Sequence, residues 1–150
     1  NCGCSSSTYV IGSNWTQDNG TYRSSQHPGS SYNATNTLNS DQSSFWLSAD
    51  GNITNEWIIY NLGSPTTIEG IRISNGQHPF GAQDITLQTS SSVSGPWTDA
   101  TSFTLSSADQ IWQEFTGLYE TSQYYRLFFH NNYGSTNYIK IRDVEFAVCN

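Results

Sequence analysis

In the stretch Tyr138 to Val148 (YIKIRDVEFAV), Ile139 and Ile141 fall on one face of an extended chain and Lys140 and Arg142 on the other. That period of two is the pattern of a half-buried antiparallel strand. Ile71-Arg72-Ile73 repeats it inside Ile68 to Ser74 (IEGIRIS). Four more β-branched and aromatic runs stand between clusters of Gly, Pro, Asn and Ser. They are Glu56 to Leu62 (EWIIYNL), Asp84 to Thr89 (DITLQT), Ile111 to Phe115 (IWQEF) and Tyr124 to His130 (YYRLFFH). No stretch of about a dozen residues carries apolar side chains at helical spacing. Many short strands without helices predict an all-β, antiparallel jelly-roll β-sandwich.

Residues 1–55 read differently, with Ser, Thr, Asn and Gly around a few apolar anchors: Tyr9-Val10-Ile11, Tyr22 and Phe45-Trp46. A long loop-rich segment of this kind wraps a sandwich and carries function. There is no internal repeat and no linker. The expectation is one domain over 1–150, with a loop-rich segment at 1–21 and the sandwich at 22–150.

The chain has 150 residues, of which 14% are aromatic and only 11% charged, with a formal net charge of −7. Its rings are enough for a sizeable core, and its polarity comes from uncharged side chains. Arg23, Arg72, Arg126, Lys140 and Arg142 are too few cations to neutralise a phosphate backbone, which sets nucleic acid aside as a partner. No apolar run approaches the roughly 20 residues of a membrane-spanning helix. The chain starts Asn1-Cys2-Gly3-Cys4 and contains no Met, so it reads as a mature or excised segment.

Cys2 and Cys4 lie at one end and Cys149 at the other, suited to a clasp that joins Cys149 with Cys2 or Cys4. The remaining thiol is free or intermolecular, which leaves room for a disulfide-linked or non-covalent oligomer. N-x-[ST] triplets occur at Asn14, Asn19, Asn33 and Asn52. Together these features predict an extracellular, secreted glycoprotein.

The run Asn36 to Trp46 (NTLNSDQSSFW) resembles the segment closing on an aromatic-Trp pair in discoidin, or coagulation factor type C, domains. In the same order, Glu56 to Gly63, Ile68 to Ile73, Asp84 to Ser90 with Gly95-Pro96-Trp97, Tyr124 to Leu127 and Asp143 to Phe146 resemble later motifs of that family. The likeness runs from about residue 22 to the end. It implies a galactose-binding-like jelly roll, similar to carbohydrate-binding modules, whose loops at one end bind carbohydrate, anionic phospholipid or protein without catalysis.

The resemblance also implies structural calcium, held by the loop after the first strands and by an acid of the last strand. Here those positions are Asn39, Asp41, Ser44 and Asp143. Asn39 stands where the family has Asp, and Asp41 compensates for the lost charge. His27, His78 and His130 lie apart, and Cys-Gly-Cys lacks a partner pair, which disfavours a transition metal.

Sugar recognition needs a ring for the apolar face of a pyranose and planar polar groups for its hydroxyls. Three loops expected at one end offer both: Ser25 to Asn33 with Gln26 and His27, Asn75 to Gln83 with His78 and Phe80, and Asn131 to Asn137 with Asn131, Asn132 and Tyr133. Galactose-binding relatives commonly carry an arginine in the second loop. None occurs here, which argues against galactose itself.

No nucleophile-elbow motif is present, and no serine is placed beside a histidine. Glycoside cleavage would need carboxylates among Asp41, Asp50, Glu56 and Asp99 to converge in space. The sequence therefore points to a non-enzymatic, lectin-like module for a glycan or glycoprotein, with a role in cell adhesion. The alternatives are a protein-adhesion module and a membrane-lipid binder inserting Phe80, Trp46 or Tyr133, although its loop tips offer almost no cations for headgroups.

Overall fold

A computed structural model describes residues 4–12 and 20–150. Cys2, Asn14 and Asn19 lie outside the described residues. The strands are β1 (Ser7–Val10), β2 (Trp46–Leu47), β3 (Glu56–Asn75), β4 (Asp84–Ser90), β5 (Thr98–Thr104), β6 (Trp112–Phe129) and β7 (Lys140–Cys149), with one short 3₁₀ turn at Ala34–Leu38. They are hydrogen-bonded in the order β1-β7-β3-β6-β4-β5, with β2 also on β7, and every pairing is antiparallel.

Glu56 to Leu62 and Ile68 to Ser74 are one strand of 20 residues, and Ile111 to Phe115 and Tyr124 to His130 belong largely to one of 18. The pairing of β3 with β6 slips between Asn61 and Thr66 and again between Ile68 and Gly70. Such irregularities bend strands sharply. Below the bend β3 and β6 leave one layer and enter the other. In the first layer, Glu56 pairs with Phe129, which pairs with Ile85 of β4. In the second, Ser74 pairs with Trp112 and Asp143.

Ile58, Tyr60, Ile85, Leu127 and Phe129 point inward from the first layer; Ile71, Ile73, Val144 and Phe146 oppose them from the second, and all are buried. The rings of Tyr60 and Tyr125 each lie 5.4 Å from that of Phe146, joining the layers. Burial of a side chain of this size contributes about 1.5–3 kcal/mol.

Lys140 and Arg142 alternate with Ile139 and Ile141 as expected, yet each is only 7% exposed. The loop before β2 covers their face. Arg142 donates to Asp109 at 2.7 Å and to the Gln42 carbonyl at 3.1 Å, and the Lys140 ammonium sits 3.8 Å from the centre of the Phe45 ring. Strand β5 was not marked by any apolar run. Its sequence TDATSFT is polar because it is an edge strand with one face in solvent.

Cys149 is bridged to Cys4, across 145 positions of sequence. The bridge lies next to the pairing of Ser7 with Cys149, which fastens β1 to the end of β7. Closing so long a loop removes denatured-state entropy worth about 5 kcal/mol. Cys149→Ser is expected to lower the melting temperature by about 10 °C or more. Mass mapping without reductant should recover a peptide containing Cys4 joined to Cys149; a wild-type-like melting curve for the variant would contradict this.

Candidate functional site

Both long strands are doubled over, so each begins and ends at the same end of the sandwich. The side chain of Asn75, at the end of β3, shows this directly. Its Nδ2 donates to the Ala82 carbonyl at 2.9 Å, and its Oδ1 accepts from the amides of Gly76 and Ala82 at 3.0 Å. Ala82 also bridges Asn132, and Gly81 bridges Lys140. The loops 75–83 and 131–139 therefore cross the top of the sandwich side by side. A Cβ on Gly81 would lie 2.5 Å from the Gly76 carbonyl oxygen, so this crossing has no room for a side chain there.

The third loop is tied to the same end. The His27 amide donates to Leu47, and the Gln26 side chain links Asn33 to the Ala34 amide, both at 2.8 Å. Glu56, only 7% exposed, accepts the hydroxyls of Ser24 and Ser25. Trp46 is fully buried, and its indole donates to the Ser25 carbonyl at 3.0 Å. This corrects the idea that Trp46 inserts into a membrane. It is a core ring that positions the loop.

These loops assemble a row of rings. His27 meets Tyr32 edge-on with centroids 4.9 Å apart and Tyr138 at 5.8 Å, and Tyr138 lies 4.9 Å from Phe80. Tyr32 continues the row to Phe45 at 5.8 Å. His27 Nδ1 is 2.7 Å from the exposed Asp50 carboxylate. The exposed His78 stands 6.2 Å from Tyr133, whose hydroxyl donates to the Leu105 carbonyl. Lys140, under Phe45, has its pKa lowered to about 8 by burial and by the neighbouring Arg142 charge.

His27 and Phe80 thus flank Tyr138, and His78 stands beside Tyr133. Asn131 and Asn132 lie in the same loop with their amides already engaged. Asn131 closes on Asp84 through both its oxygen and its nitrogen at 2.9 Å. Asn132 donates to Ser135 and Tyr138 and accepts from Gly134, all at 3.0 Å. They shape the loop that presents Tyr133 and Tyr138. Sequence reading missed Tyr32 and Tyr138 as site rings. In sequence Tyr138 opens the run of the last strand, where a ring at a loop–strand junction looks like ordinary core.

The four carboxylates weighed for catalysis have separate partners: Asp50 has His27, Glu56 the two serines, Asp41 Ser43, and Asp99 Gln88. At the loop before β2, Asn39 donates to Ser44 at 2.9 Å and accepts from the Asp41 amide, while Asp41 accepts from the Ser43 amide and hydroxyl. Asp143 is fully buried. Its Oδ1 accepts from Val144 at 2.9 Å, and its Oδ2 has no partner. Burial pushes its pKa up to about 7, aided by the charges of Glu145 and Asp41. Among the described residues no three His, Cys, Asp or Glu side chains form a metal cluster.

At the opposite end, where β3 and β6 bend, a cleft of roughly 410 Å³ is lined by Pro65, Ser90, Pro96, Thr98, Ser122 and Gln123. It offers no ring for stacking.

The fold is shared with known sugar-binding structures. Chitosan-binding module 1 from a chitosanase/glucanase of Paenibacillus sp. IK-5 is 24% identical, aligning over 83% of this chain and 90% of its own with a TM-score of 0.67. The family 32 carbohydrate-binding module of Clostridium perfringens NanJ, in complex with galactose, is 12% identical over 94% of this chain and 98% of its own, at 0.71. A second Clostridium perfringens module, in complex with GalNAc-β-1,3-galactose, is 12% identical over 95% and 100%, at 0.73. No curated protein matches the chain. The family model of the F5/8 type C domain matches residues 20–145, through both doubled strands and most of the last one, and the chain belongs to that family.

Proposed function

We propose that this domain is a non-catalytic, lectin-like carbohydrate-binding module of the extracellular space, which takes a neutral glycan on its His27–Tyr138–Phe80 ring row. The row itself carries the reading. It joins three loops into one surface, with the Asp50 carboxylate and the His27 imidazole placed to meet hydroxyls. The solved relatives, a chitosan-binding module and two in complex with galactose-containing ligands, support the same class of ligand. The Cys4–Cys149 bridge supports an oxidising compartment. The sequon at Asn52 lies on an exposed turn, and the one at Asn33 has its oxygen held by Gln26.

Calcium suits the loop before β2. The buried, unpartnered Asp143 Oδ2 and the oxygens of Asn39, Asp41 and Ser44 are donors for a hard cation. With few carboxylates available, carbonyls and hydroxyls would complete the shell and steady the turn below Phe45.

Two outcomes are expected. Phe80→Ala or Tyr138→Ala should weaken neutral-glycan binding at least tenfold on a glycan array and by calorimetry, with folding retained and little dependence on salt. Silence on a broad array together with tight binding to phosphatidylserine vesicles would reverse the reading in favour of a lipid module. Separately, calcium at 100 times its Kd should stabilise the domain by about 3 kcal/mol. Asp143→Ala should remove that gain, and a melting temperature indifferent to exhaustive chelation would rule calcium out.

A further inference from the structure

The outward face of the first layer carries a second set of rings. In register across the strands, Trp57 pairs with Phe128, Phe128 with Thr86, and Thr86 with Ser102. One step down the strands, Arg126 pairs with Gln88. The Arg126 guanidinium carbon lies 5.3 Å from the Trp57 ring, 4.7 Å from that of Trp97 and 5.6 Å from that of Phe128. All three rings keep part of their surface in solvent.

Arg126 differs from its counterparts. Arg72 is paired with Glu145 and Arg142 with Asp109. Among the described residues Arg126 has no carboxylate at ion-pair distance. Its Nε donates to Gln88 at 2.6 Å, and its two terminal nitrogens have no hydrogen-bond acceptor among the described residues. Asp99, the nearest acid in the register, acts on Arg126 only through its charge, with its carboxylate held by the Gln88 amide at 2.9 Å. Gly95 fixes the third ring. Its φ of +86° is one that L side chains rarely adopt, and a Cβ there would sit 2.9 Å from the Trp97 indole.

A planar guanidinium with its fork open, walled by aromatic rings, matches an oxyanion carried on a flat, partly apolar body. We propose that this face is a second binding site, and that it takes an acidic sugar unit of a glycan. The oxyanion, a carboxylate or a sulfate ester, pairs with the open fork of Arg126. The pyranose stacks on Trp97 or Trp57. Up the strand, Phe128 leads to a cleft of roughly 230 Å³ where His130 Nε2 lies 2.7 Å from the Thr86 hydroxyl, itself 2.9 Å from that of Ser102. These groups suit the hydroxyls of the next unit. From Arg126 to His130 the strand covers about 13 Å at 3.3 Å per residue.

The site is independent of the ring row at the loop end, and the test separates the two. Binding of a mannuronate oligomer, a sulfated galactan oligomer and a neutral chito-oligomer is measured by calorimetry on wild type, Arg126→Gln, Arg126→Lys, Trp97→Ala and Phe80→Ala, each first shown to melt cooperatively. Arg126→Gln should weaken at least one acidic oligomer tenfold or more and leave the neutral one unchanged. Arg126→Lys should restore only part of the loss, and raising salt from 20 to 300 mM should weaken the acidic complex alone. Which acidic oligomer responds identifies carboxylate or sulfate. Failure of both acidic oligomers to bind, or binding that survives Arg126→Gln, overturns the proposal. Acidic binding lost on Phe80→Ala but kept in Arg126→Gln would also overturn it, by assigning the acid to the loop end. Loss of neutral binding in Phe80→Ala tests the loop-end reading separately.

Discussion

Everything at the top of this molecule depends on β3 and β6 being too long for one layer. Each must bend, and the break in register between Asn61 and Thr66 lets both do so together without separating. Because they bend as a pair, the hydrogen bonds between them continue through both layers. The chain then returns to the end from which it started. Loops 75–83 and 131–139, which carry it from one layer to the other, have no choice but to cross the same end.

That geometry makes a ring row from residues far apart in sequence. Tyr138 reaches His27 on one side and Phe80 on the other because Lys140 begins β7 directly beneath the second loop, with its amide bonded to the Phe80 carbonyl at 2.8 Å. The loops are held by side-chain amides rather than by sheet. Asn75, Asn131, Asn132 and Gln26 each satisfy backbone groups that a tight crossing leaves without partners. The abundance of Asn and Gln in this chain is therefore partly a structural requirement of its loops. A loop surface built this way is largely preformed, so little entropy would be lost on ordering it.

The alternation in β7 and the apolar runs of β3, β4 and β6 made the β class legible from the sequence, since burial on one face leaves a period of two. The doubling of β3 and β6 was not legible. Gly63-Ser64-Pro65 reads as a turn between two strands, and only long-range pairing shows the chain continuing through it. The cover over Lys140 and Arg142 was equally hidden, because a charged residue beneath a loop looks like one beneath water. At the loop end, His27, His78, Phe80 and Tyr133 were legible as candidates because loop position and residue type coincide. Tyr32 and Tyr138 were not, because their role comes from which rings the crossing loops bring beside them. In sequence Arg126 is one cation among five, and that no carboxylate of the described residues pairs with it is visible only in three dimensions.

On the reading proposed above, the doubled strands place the sugar site at the loop end. That placement is tested most directly by following the backbone amide resonances of the isotopically labelled domain during titration with a neutral chito-oligomer. The shifts are expected to cluster in residues 26–32, 77–80 and 133–138, with the indole signals of Trp57 and Trp97 unmoved. Shifts confined to the cleft at the bend, around residues 89–98 and 121–123, would contradict it.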